Sequence, residues 1–299
     1  MKKLFNSIYY LLLPIIPDKL LVKLKFRHHI GYPINLRNPK TLNEKINWLK
    51  LNDRTSLHTK CSDKYLVREY IENIIGEDYL VPLYFSSKNP KDIVPENIPD
   101  SPSIIKANHD SSGGIFVHDK SKINWKDVQQ SFEKRLKSNY YLVSREWQYK
   151  NIEPRIIVEK LLQDKNGGIP FDYKLHCFNG KVRMISVDMG RGTDQHYRNW
   201  YNTDWEREKF KWSSPKENGK STDPSNEDLE KPKTLKEMIR LSELLAEPFK
   251  YVRIDWYDVD DVLYFGEITF HHDGGFRPII PVIWDEKLGN ELNLFSSND

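Results

Sequence analysis

The chain has 299 residues and a net charge of +3, and its residues are 38% hydrophobic and 30% charged. This composition excludes a disordered or membrane-spanning protein, and the length allows one large domain or two to three smaller ones. Positive and negative residues are interspersed without a basic stripe, so nucleic acid is not an expected partner. The two cysteines, Cys61 and Cys177, form no disulfide or metal-binding pattern, which favours a reducing, cytoplasmic location.

The first 30 residues combine an apolar stretch, interrupted by Pro14 and Pro17, with a lysine-rich stretch that follows it. The apolar stretch is about half of the ~20 residues that cross a bilayer, and no signal-peptide cleavage site follows it. Residues 1–30 are therefore predicted to form a terminal helix. This helix either packs on the protein or makes peripheral contact with a membrane surface.

The next segments have the periodicity of helices. Thr41 and Glu44 fit a capping box ahead of an apolar stripe. A second helix is predicted over about 63–75, with Gly76 as its stop. The proline-rich stretch 88–102 is predicted to be a linker or surface excursion.

Beyond this stretch the pattern changes, so the chain is divided into a mostly helical region, 1–100, and a second region, 101–299. In the second region Asn179-Gly180 is a strong β-hairpin signal, and Thr234 with Glu237 fits another capping box. Antiparallel hairpins interleaved with helices indicate an α+β fold. Strands are predicted at 104–106, 155–161, 173–178, 181–187, 251–257 and 262–270, and helices at 125–138 and 234–246.

The last two predicted strands each carry an acidic residue that can face the other strand. In 251–257 the odd positions share a face that holds Asp255 and Arg253, and in 262–270 the odd positions share a face that holds Glu267. If the strands pair as a hairpin, the two carboxylates lie side by side, which destabilises a half-buried sheet unless a cation binds. Mg²⁺ prefers one or two carboxylates with phosphate and water oxygens, so the pair predicts a magnesium site. The alternatives are a register that separates the two groups, or neutralisation by Arg253.

A lysine at the end of an apolar strand, Lys106, precedes a segment rich in serine and glycine at 111–114. Such a segment can place an ammonium group and backbone N–H groups around phosphate oxygens. It is neither a P-loop nor a dinucleotide fingerprint, since neither GxxxxGK[ST] nor GxGxxG occurs. An ordinary surface turn is the alternative interpretation.

Asp172 and Lys174 are predicted to share one face of a strand, which His176 continues. The lysine either contacts a phosphate or forms an exposed salt bridge with the aspartate, and such a bridge contributes little to stability. The residues by themselves favour the salt bridge.

Short motifs follow one another along the chain. They are Asn38-Pro-Lys-Thr-Leu-Asn-Glu-Lys45, Trp48-Leu-Lys50, Asp63-Lys-Tyr65, Val67-Arg-Glu69, Ile105-Lys-Ala-Asn-His109, Gly113-Gly114, Arg145-Glu-Trp147, Arg155-Ile-Ile-Val-Glu159, Asp172-Tyr-Lys174, Val252-Arg-Ile-Asp-Trp256, Gly266-Glu-Ile-Thr-Phe270, Trp284-Asp285 and Leu288-Gly289. Together they resemble the motifs of the teichuronopeptide-biosynthesis ATP-grasp family. The similarity covers residues 30–290 in the same order, which is far more specific than any single motif.

The resemblance implies an ATP-grasp fold, in which two antiparallel-sheet subdomains clasp ATP. The glycine-loop subdomain would span 101–162 and the metal-binding subdomain 163–299. Lys106 would contact the phosphates of ATP. The other nucleotide-binding residues that the resemblance implies are Ser111, Ser112, Gly113 and Gly114 in the loop, Glu159, Lys160, Leu161 and Leu162 in the hinge that holds the adenine, and Lys174 near the nucleotide.

The resemblance also implies that Asp255 and Glu267 bind Mg²⁺ and that Arg253 neutralises the transferred phosphate. The third metal position of ATP-grasp enzymes is usually asparagine and is Thr269 here, which indicates weakened coordination rather than loss of activity. The loop 271–275 is richer in histidine than in similar sequences. Its histidines either hold the acceptor or are solvated loop residues, and the second is the expectation.

By the same resemblance the protein is an ATP-dependent carboxylate–amine ligase that forms an amide through an acyl phosphate. Lys106, Lys174 and Arg253 would be its catalytic, charge-neutralising residues. The carboxylate acceptor would be a uronic acid or amino acid of a cell-surface polysaccharide, and the amine would come from an amino acid.

Two other classes of protein stay open. Asp258-Val-Asp260 is a DxD, the pattern with which nucleotide-sugar glycosyltransferases hold a metal and a diphosphate, although a hairpin turn also favours aspartate there. Thr269 leaves open a non-catalytic polysaccharide-binding protein that keeps the fold without turnover.

Overall fold

The computed structural model describes residues 13–111, 113–191, 193–216 and 219–295. Over these residues the α-helices are α1 (Asp18–Ile30), α2 (Leu42–Asn52), α3 (Ser56–Ser62), α4 (Val67–Ile75), α5 (Trp125–Arg135), α6 (Tyr140–Ser144), α7 (Leu235–Ala246) and α8 (Ile283–Glu291). The β-strands are β1 (Leu83–Ser87), β2 (Ser103–Ala107), β3 (Ile115–Val117), β4 (Ile156–Lys160), β5 (Asp172–Phe178), β6 (Lys181–Met189), β7 (Tyr197–Tyr201), β8 (Lys211–Trp212), β9 (Tyr251–Val259), β10 (Val262–Thr269) and β11 (Ile279–Ile280). Helices and antiparallel strands are interleaved, so the predicted α+β class is confirmed.

Local signals set the ends of the first helices. The Thr41 hydroxyl accepts a hydrogen bond from the backbone N–H of Glu44, and the Glu44 carboxylate accepts one from the N–H of Thr41, so the predicted capping box is present. The second predicted helix begins later, at Val67, because the Asp63 carboxylate accepts backbone N–H groups and turns the chain before it. It ends at Gly76, as predicted.

One sheet has the strand order β1-β4-β2-β3, and every pair is antiparallel. Its core consists of apolar side chains from β2, β4 and α5. β1 lies inside the region 1–100, which was predicted to be mostly helical. Ile93 and Ile98 are buried in the same core. The segment 88–102 joins two strands of one sheet, so it is not a linker between units but a surface excursion held by these two isoleucines. The division of the chain after residue 100 stays a prediction.

The larger sheet has the order β10-β9-β5-β6-β7, again with antiparallel pairs. Asn179 and Gly180 make the turn between β5 and β6 with φ values of 48° and 80°, which is the tight hairpin that this dipeptide favours. One face packs on α4 and α7 around a core that includes Trp256. The opposite face carries buried charged side chains, among them Lys174 and Asp255. This sheet therefore separates an apolar core from a polar cleft.

A β-bulge at Gly266 changes which face β10 presents. Phe265 before the bulge and Glu267 after it pair with consecutive residues of β9. The prediction that the odd positions of this strand share a face is wrong for Leu263 and Phe265, which pack in the apolar core. The predicted pairing of Glu267 with Asp255 is confirmed, because the two residues lie directly opposite each other.

The helices that precede and follow the two sheets pack on each other. α2 and α8 approach so closely that a Cβ on Gly289 would lie 2.1 Å from the carbonyl oxygen of Lys40. The Asp285 carboxylate accepts hydrogen bonds from the backbone N–H and the side-chain amide of Asn43, both at 2.9 Å. The early helical segment is thus fixed to the last helix of the described chain.

Helix α1 buries one apolar face and exposes Leu20 and Leu24. Residues 1–12 lie outside the described part of the chain. Among the residues that the structure describes, no helix is long and apolar enough to cross a membrane. Peripheral membrane contact through residues 1–30 stays a prediction.

The predicted capping box of α7 is wrong. Thr234 has helical backbone angles, and its hydroxyl donates to the Asp258 carboxylate instead of capping the helix. Glu237 pairs with Arg240 on the same helix. Thr234 therefore ties the start of α7 to the hairpin between β9 and β10.

A buried lysine of α2 holds the loop that follows β10. The Lys50 ammonium donates to Asn47 Oδ1 at 3.2 Å and to the carbonyl oxygen of Gly274 at 2.5 Å, and it lies 4.2 Å from the ring centre of Phe276. Burial lowers the pKa of Lys50 from 10.5 to about 7. Between these two values the unfolded chain binds more protons than the native chain, so this lysine makes the free energy of unfolding rise with pH.

We predict that Lys50→Met removes this contribution to the pH dependence of stability. Between the two pKa values, the slope of unfolding free energy against pH should fall by up to about 1.4 kcal/mol per pH unit. Denaturant unfolding at several pH values measures the slope. Lys126→Met, at an exposed position of α5, is the control and should keep the wild-type slope. A Lys50→Met variant with the wild-type slope would contradict the assignment.

Candidate active site

The smaller sheet brings positively charged groups to its edge. Lys106 of β2 forms an ion pair with Glu159 of β4, with 2.9 Å between Nζ and Oε2. Arg68 of α4 approaches the other oxygen of that carboxylate at 3.4 Å. The Lys64 ammonium, between α3 and α4, donates to the carbonyl oxygen of Asp110. The predicted phosphate-contacting lysine is therefore held in place by an acidic partner.

Lys64 lies where the two sheets meet. Burial lowers its pKa, and the charged groups that act on it include Glu267 of the larger sheet and Asp110 and Lys106 of the smaller one. Lys64 therefore lies close to charged groups of both sheets. Lys64 lies in the motif Asp63-Lys-Tyr65, but no pattern in the sequence predicted a role for it.

The segment after β2 is shaped by close packing. A Cβ on Gly114 would lie 2.5 Å from Cγ1 of Ile104, whereas a Cβ on Gly113 would meet nothing within 4 Å. Arg135 of α5 donates two hydrogen bonds to the Asp110 carboxylate and one to the carbonyl oxygen of Gly113. The segment is thus held against β2 and α5.

The two predicted loop serines differ in what the structure shows. Ser111 is exposed and lies beside Tyr140 of α6. Ser112 lies outside the described residues.

The predicted adenine hinge follows β4. Lys160 is exposed, and Leu161 and Leu162 are buried. The backbone N–H groups of Lys160 and Leu161 donate to the carbonyl oxygens of two prolines. In the described part of the chain the N–H of Leu162 has no such partner. Glu159, predicted with these residues, directs its carboxylate to Lys106.

On the larger sheet, Arg253 contacts both members of the acidic pair. Its guanidinium donates to the two oxygens of Asp255 at 2.6 and 2.7 Å and to Glu267 Oε1 at 2.9 Å. The Thr269 hydroxyl donates to the same Glu267 oxygen at 3.2 Å. Asp255, Glu267 and Thr269, the three predicted metal residues, therefore lie close together. Arg253 also neutralises both carboxylates, which was the alternative to a bound cation.

The neighbouring strand adds a buried lysine. Lys174 of β5 lies opposite Asp255, with Nζ 3.3 Å from that carboxylate and 3.6 Å from the Asp188 carboxylate, and it also contacts Asp172. Burial opposes its charge, yet the three carboxylates raise the pKa of Lys174. The interpretation of Lys174 as half of an exposed salt bridge is wrong, because only 4% of the residue is exposed.

Two arginines that sequence analysis missed complete this network. Arg198 of β7 binds both oxygens of Asp188 at 2.6 and 3.0 Å, and Arg191 donates to Asp172 Oδ2 at 3.0 Å. Among the described residues, the other oxygen of that carboxylate, Asp172 Oδ1, is buried without a hydrogen-bond partner. No local motif marks these arginines, since their partners lie on other strands.

The two carboxylates of the acidic pair lie in different electrostatic surroundings. Burial raises the pKa of Asp255, against the attraction of Arg253 and Lys174. Desolvation would also raise the pKa of Glu267, but Arg253 and Lys64 hold it at about 2. Glu267 is therefore ionised at neutral pH, and its side chain, 43% exposed, faces the cleft.

The two histidines after β10 are buried, so the expectation that they are solvated is wrong. Burial lowers the pKa of His271 and of His272, which leaves both rings neutral at neutral pH. Because an arginine can only donate, Nδ1 of His272 accepts the 2.8 Å hydrogen bond from Arg253 and the ring proton is on Nε2. His272 Nε2 lies 3.8 Å from the Asp273 carboxylate. His272 therefore connects the acidic pair to the following loop.

The DxD residues lie at the hairpin turn between β9 and β10. Asp258 accepts hydrogen bonds from the Thr234 hydroxyl and from the backbone N–H of Asp261. Asp260 and Asp261 have φ values of 53° and 67°, a conformation that aspartate tolerates in turns. Alternation along the strand also directs Asp258 away from the face of Asp255. Turn geometry therefore accounts for this motif.

The donor atoms fit a divalent cation that binds together with phosphate. Among the described residues, no three His, Cys, Asp or Glu side chains form a group that could hold a metal. Asp255 and Glu267 supply two carboxylates, with the Thr269 hydroxyl beside them. Mg²⁺ takes this number of carboxylates when phosphate and water oxygens complete its coordination. The residues therefore fit Mg²⁺ bound with a nucleotide.

Comparisons with known proteins give one family and several distant structures. The TupA-like ATP-grasp family matches residues 44–293. D-alanine–D-alanine ligase from Bacillus anthracis complexed with ATP is 17% identical, over 71% of this chain and 55% of that chain, with a TM-score of 0.41. N5-carboxyaminoimidazole synthetase from Staphylococcus aureus is 14% identical, over 70% of this chain and 44% of that chain, with a TM-score of 0.36. The ATP-grasp ligase PsnB complexed with a minimal precursor, Mg and ADP is 9% identical, over 77% of this chain and 58% of that chain, with a TM-score of 0.36.

The chain spans about half the length of these solved structures. No curated protein matches it. Two antiparallel sheets, one with a lysine and a glycine segment and the other with an acidic pair, define a protein of the ATP-grasp class. Because the family match covers most of the chain, the protein belongs to the TupA-like ATP-grasp family. The resemblance to the teichuronopeptide-biosynthesis family is thereby confirmed.

We predict that Gly114→Ala destabilises the protein and that Gly113→Ala does not. The added methyl group overlaps Ile104 only in the first variant, and overpacking of this kind costs roughly 1–3 kcal/mol. Thermal unfolding of the two variants without ligand measures the difference. Equal midpoints would contradict the close packing of Gly114 on β2.

Proposed function

We propose that the protein is an ATP-dependent carboxylate–amine ligase. The observation that carries this proposal is that the two sheets hold charged side chains near one another, around Lys64. Lys106 and the glycine segment lie on the smaller sheet, and Asp255, Glu267 and Arg253 lie on the larger one. Lys64 lies between them. Membership of the TupA-like ATP-grasp family supports the proposal.

The proposed reaction has two steps. A carboxylate oxygen attacks the γ-phosphorus of ATP and the bond to ADP breaks, which gives an acyl phosphate. The amine nitrogen then attacks the acyl carbon, the bond to the phosphate oxygen breaks, and inorganic phosphate leaves while the nitrogen loses a proton to solvent. Mg²⁺, when bound, supplies charge neutralisation at the phosphate oxygens.

The chain's own residues supply fixed positive charge around the transferred group. Lys106 and Lys64 lie on the side of the glycine segment, and Arg253 and Lys174 lie on the side of the acidic pair. Ion pairs hold Lys106, Arg253 and Lys174 in place before a ligand binds. Groups positioned in advance stabilise a developing charge without reorganising. The free N–H of Leu162 is the proposed contact for the adenine.

The proposed acceptor is a uronic-acid carboxylate of a cell-surface polysaccharide, and the proposed amine is an amino acid. The support is the link between this family and teichuronopeptide biosynthesis, together with a site whose charges suit anionic substrates. ATP and a reducing environment for Cys61 and Cys177 make the cytoplasmic side the proposed location.

The two rival functions have less support. A glycosyltransferase would use Asp258 and Asp260, and turn geometry already accounts for both. A non-catalytic protein would not need three cations, Lys106, Lys174 and Arg253, held in ion pairs. Thr269 lies within hydrogen-bond distance of Glu267, which agrees with a weakened third ligand rather than a lost site.

We predict that Asp255→Asn and Glu267→Gln each abolish the stabilisation by Mg·ATP and reduce ATP-dependent turnover about a hundredfold or more. Each change removes one negative charge that faces the cation while keeping the shape of the side chain. Thermal unfolding with and without Mg·ATP measures binding, and ADP release measures turnover.

Asp260→Asn is the matched control, because it changes an exposed aspartate of the adjacent turn. It should respond to Mg·ATP and Mg·ADP as the wild type does, and Mg·UDP-glucose should shift none of the proteins. Full Mg·ATP binding and turnover in both site variants would disprove the proposed metal site. A shift with Mg·UDP-glucose alone would favour the glycosyltransferase.

A further inference from the structure

A small cleft lies between α1, the segment around α6 and the loop after β10. Its volume is about 180 Å³, which is below the ~300–1,000 Å³ of sites for drug-sized ligands. The cleft therefore suits a small molecule. Its charged and polar walls include Lys25 and His29 of α1, Tyr140 of α6, Glu146, Asp273 and Arg277.

Two cations of this cleft have no carboxylate within ion-pair distance in the described part of the chain. The half-buried Arg277 guanidinium makes no ion pair or side-chain hydrogen bond there. Lys25 donates only to the carbonyl oxygen of Val143, at 2.5 Å, and burial and Arg145 lower the pKa of this lysine. Burial and Arg277 lower the pKa of His29 as well. Because neither cation is held in a direct ion pair within the described residues, both keep donors for a bound carboxylate, and such charge-assisted hydrogen bonds are strong.

The same cleft contains two carboxylates. Glu146 accepts a hydrogen bond from Gln148 at 3.2 Å and lies 3.6 Å from His271. Asp273 accepts a hydrogen bond from Ser214. Each carboxylate keeps lone pairs for a further donor. Two cations and two carboxylates around so small a volume match a ligand with one anionic group and one ammonium group.

The cleft is connected to the candidate active site by two contacts. Tyr140, in its wall, lies beside Ser111 of the glycine segment. Asp273, also in its wall, follows His272, which accepts a hydrogen bond from Arg253. The cleft therefore adjoins residues that the proposed function places around the acyl phosphate.

We propose that this cleft binds the amine substrate, a free α-amino acid, with its carboxylate between Lys25 and Arg277 and its amino group toward Glu146 and Asp273. The inference rests on the proposed function, because only a ligase needs an amine beside an acyl phosphate. Lys25 lies on α1, and the family match begins only at residue 44. Recognition of the amine therefore depends on a helix outside the matched region.

The test is calorimetric titration of each standard amino acid in turn into the full chain saturated with Mg·ADP. The wild type should bind at least one of them. Arg277→Gln and Lys25→Gln should each weaken that binding about tenfold to a hundredfold, because each removes a charge-assisted hydrogen bond to the carboxylate. Lys23→Gln, an exposed lysine of the same helix, should bind as the wild type does. The affinity for Mg·ADP should be equal in all four proteins.

The outcomes separate this inference from the proposed function. If Mg·ADP does not bind the wild type, the ligase proposal fails and this one fails with it. If Mg·ADP binds but no amino acid does, or if Arg277→Gln and Lys25→Gln keep the wild-type amino-acid affinity, only the amine site is overturned. D-glucuronate binding that is lost in Arg277→Gln, without amino-acid binding, would also overturn it and would assign the cleft to the acid substrate. Thermal unfolding without ligand identifies a variant that fails to fold, and the other variant then decides.

Discussion

The buried charges on the larger sheet constrain the rest of the structure, because each of them depends on partners from neighbouring strands. Lys174 contacts three carboxylates and Arg253 contacts two. Removing one partner from a buried ion pair leaves an uncompensated charge, at a cost of about 3–5 kcal/mol. The strand order follows from this requirement, since β5 must lie between β6 and β9 for Lys174 to reach Asp188 and Asp255 together. The same constraint fixes the distances between the charged groups before any ligand binds.

The bulge at Gly266 resolves a conflict between the apolar core and the cleft. Regular alternation would place Phe265 and Glu267 on one face, so that either a carboxylate entered the core or an aromatic ring entered the cleft. Because Gly266 is the extra residue of the bulge, Phe265 packs in the apolar core and Glu267 lies on the opposite face, beside Asp255. A Cβ at this glycine would lie 3.1 Å from the carbonyl oxygen of Asp255. The glycine of the quoted motif is therefore part of what places the acidic pair.

Sequence alone could predict the parts of the site that depend on neighbouring residues. Asp255 and Glu267 lie on strands joined by a short turn, so alternation and hairpin pairing were enough to bring them together. The burial of Lys174 was harder to predict, because the strand that covers its other side, β9, is distant in the chain. Single apolar side chains that enter a core, such as Ile93, leave no periodic signal, and the prolines around it favoured a linker. No role was predicted for Lys64, because the charged groups that act on it come from both sheets and are distant in the chain.

Threonine at the proposed third metal position affects which atoms remain for a cation. The Thr269 hydroxyl and Arg253 both donate to Oε1 of Glu267, so Oε2 is the oxygen of that carboxylate with capacity left. Arg253 also donates to both oxygens of Asp255. The guanidinium therefore balances the acidic pair when no ligand is bound, and a cation at Oε2 would take over part of that role. In the proposed reaction this would leave more of the arginine's charge for the transferred phosphate, while His272 still fixes its position. The hydroxyl is a weaker ligand than an amide oxygen, so in the proposed site phosphate and water oxygens would supply the remaining coordination of the cation.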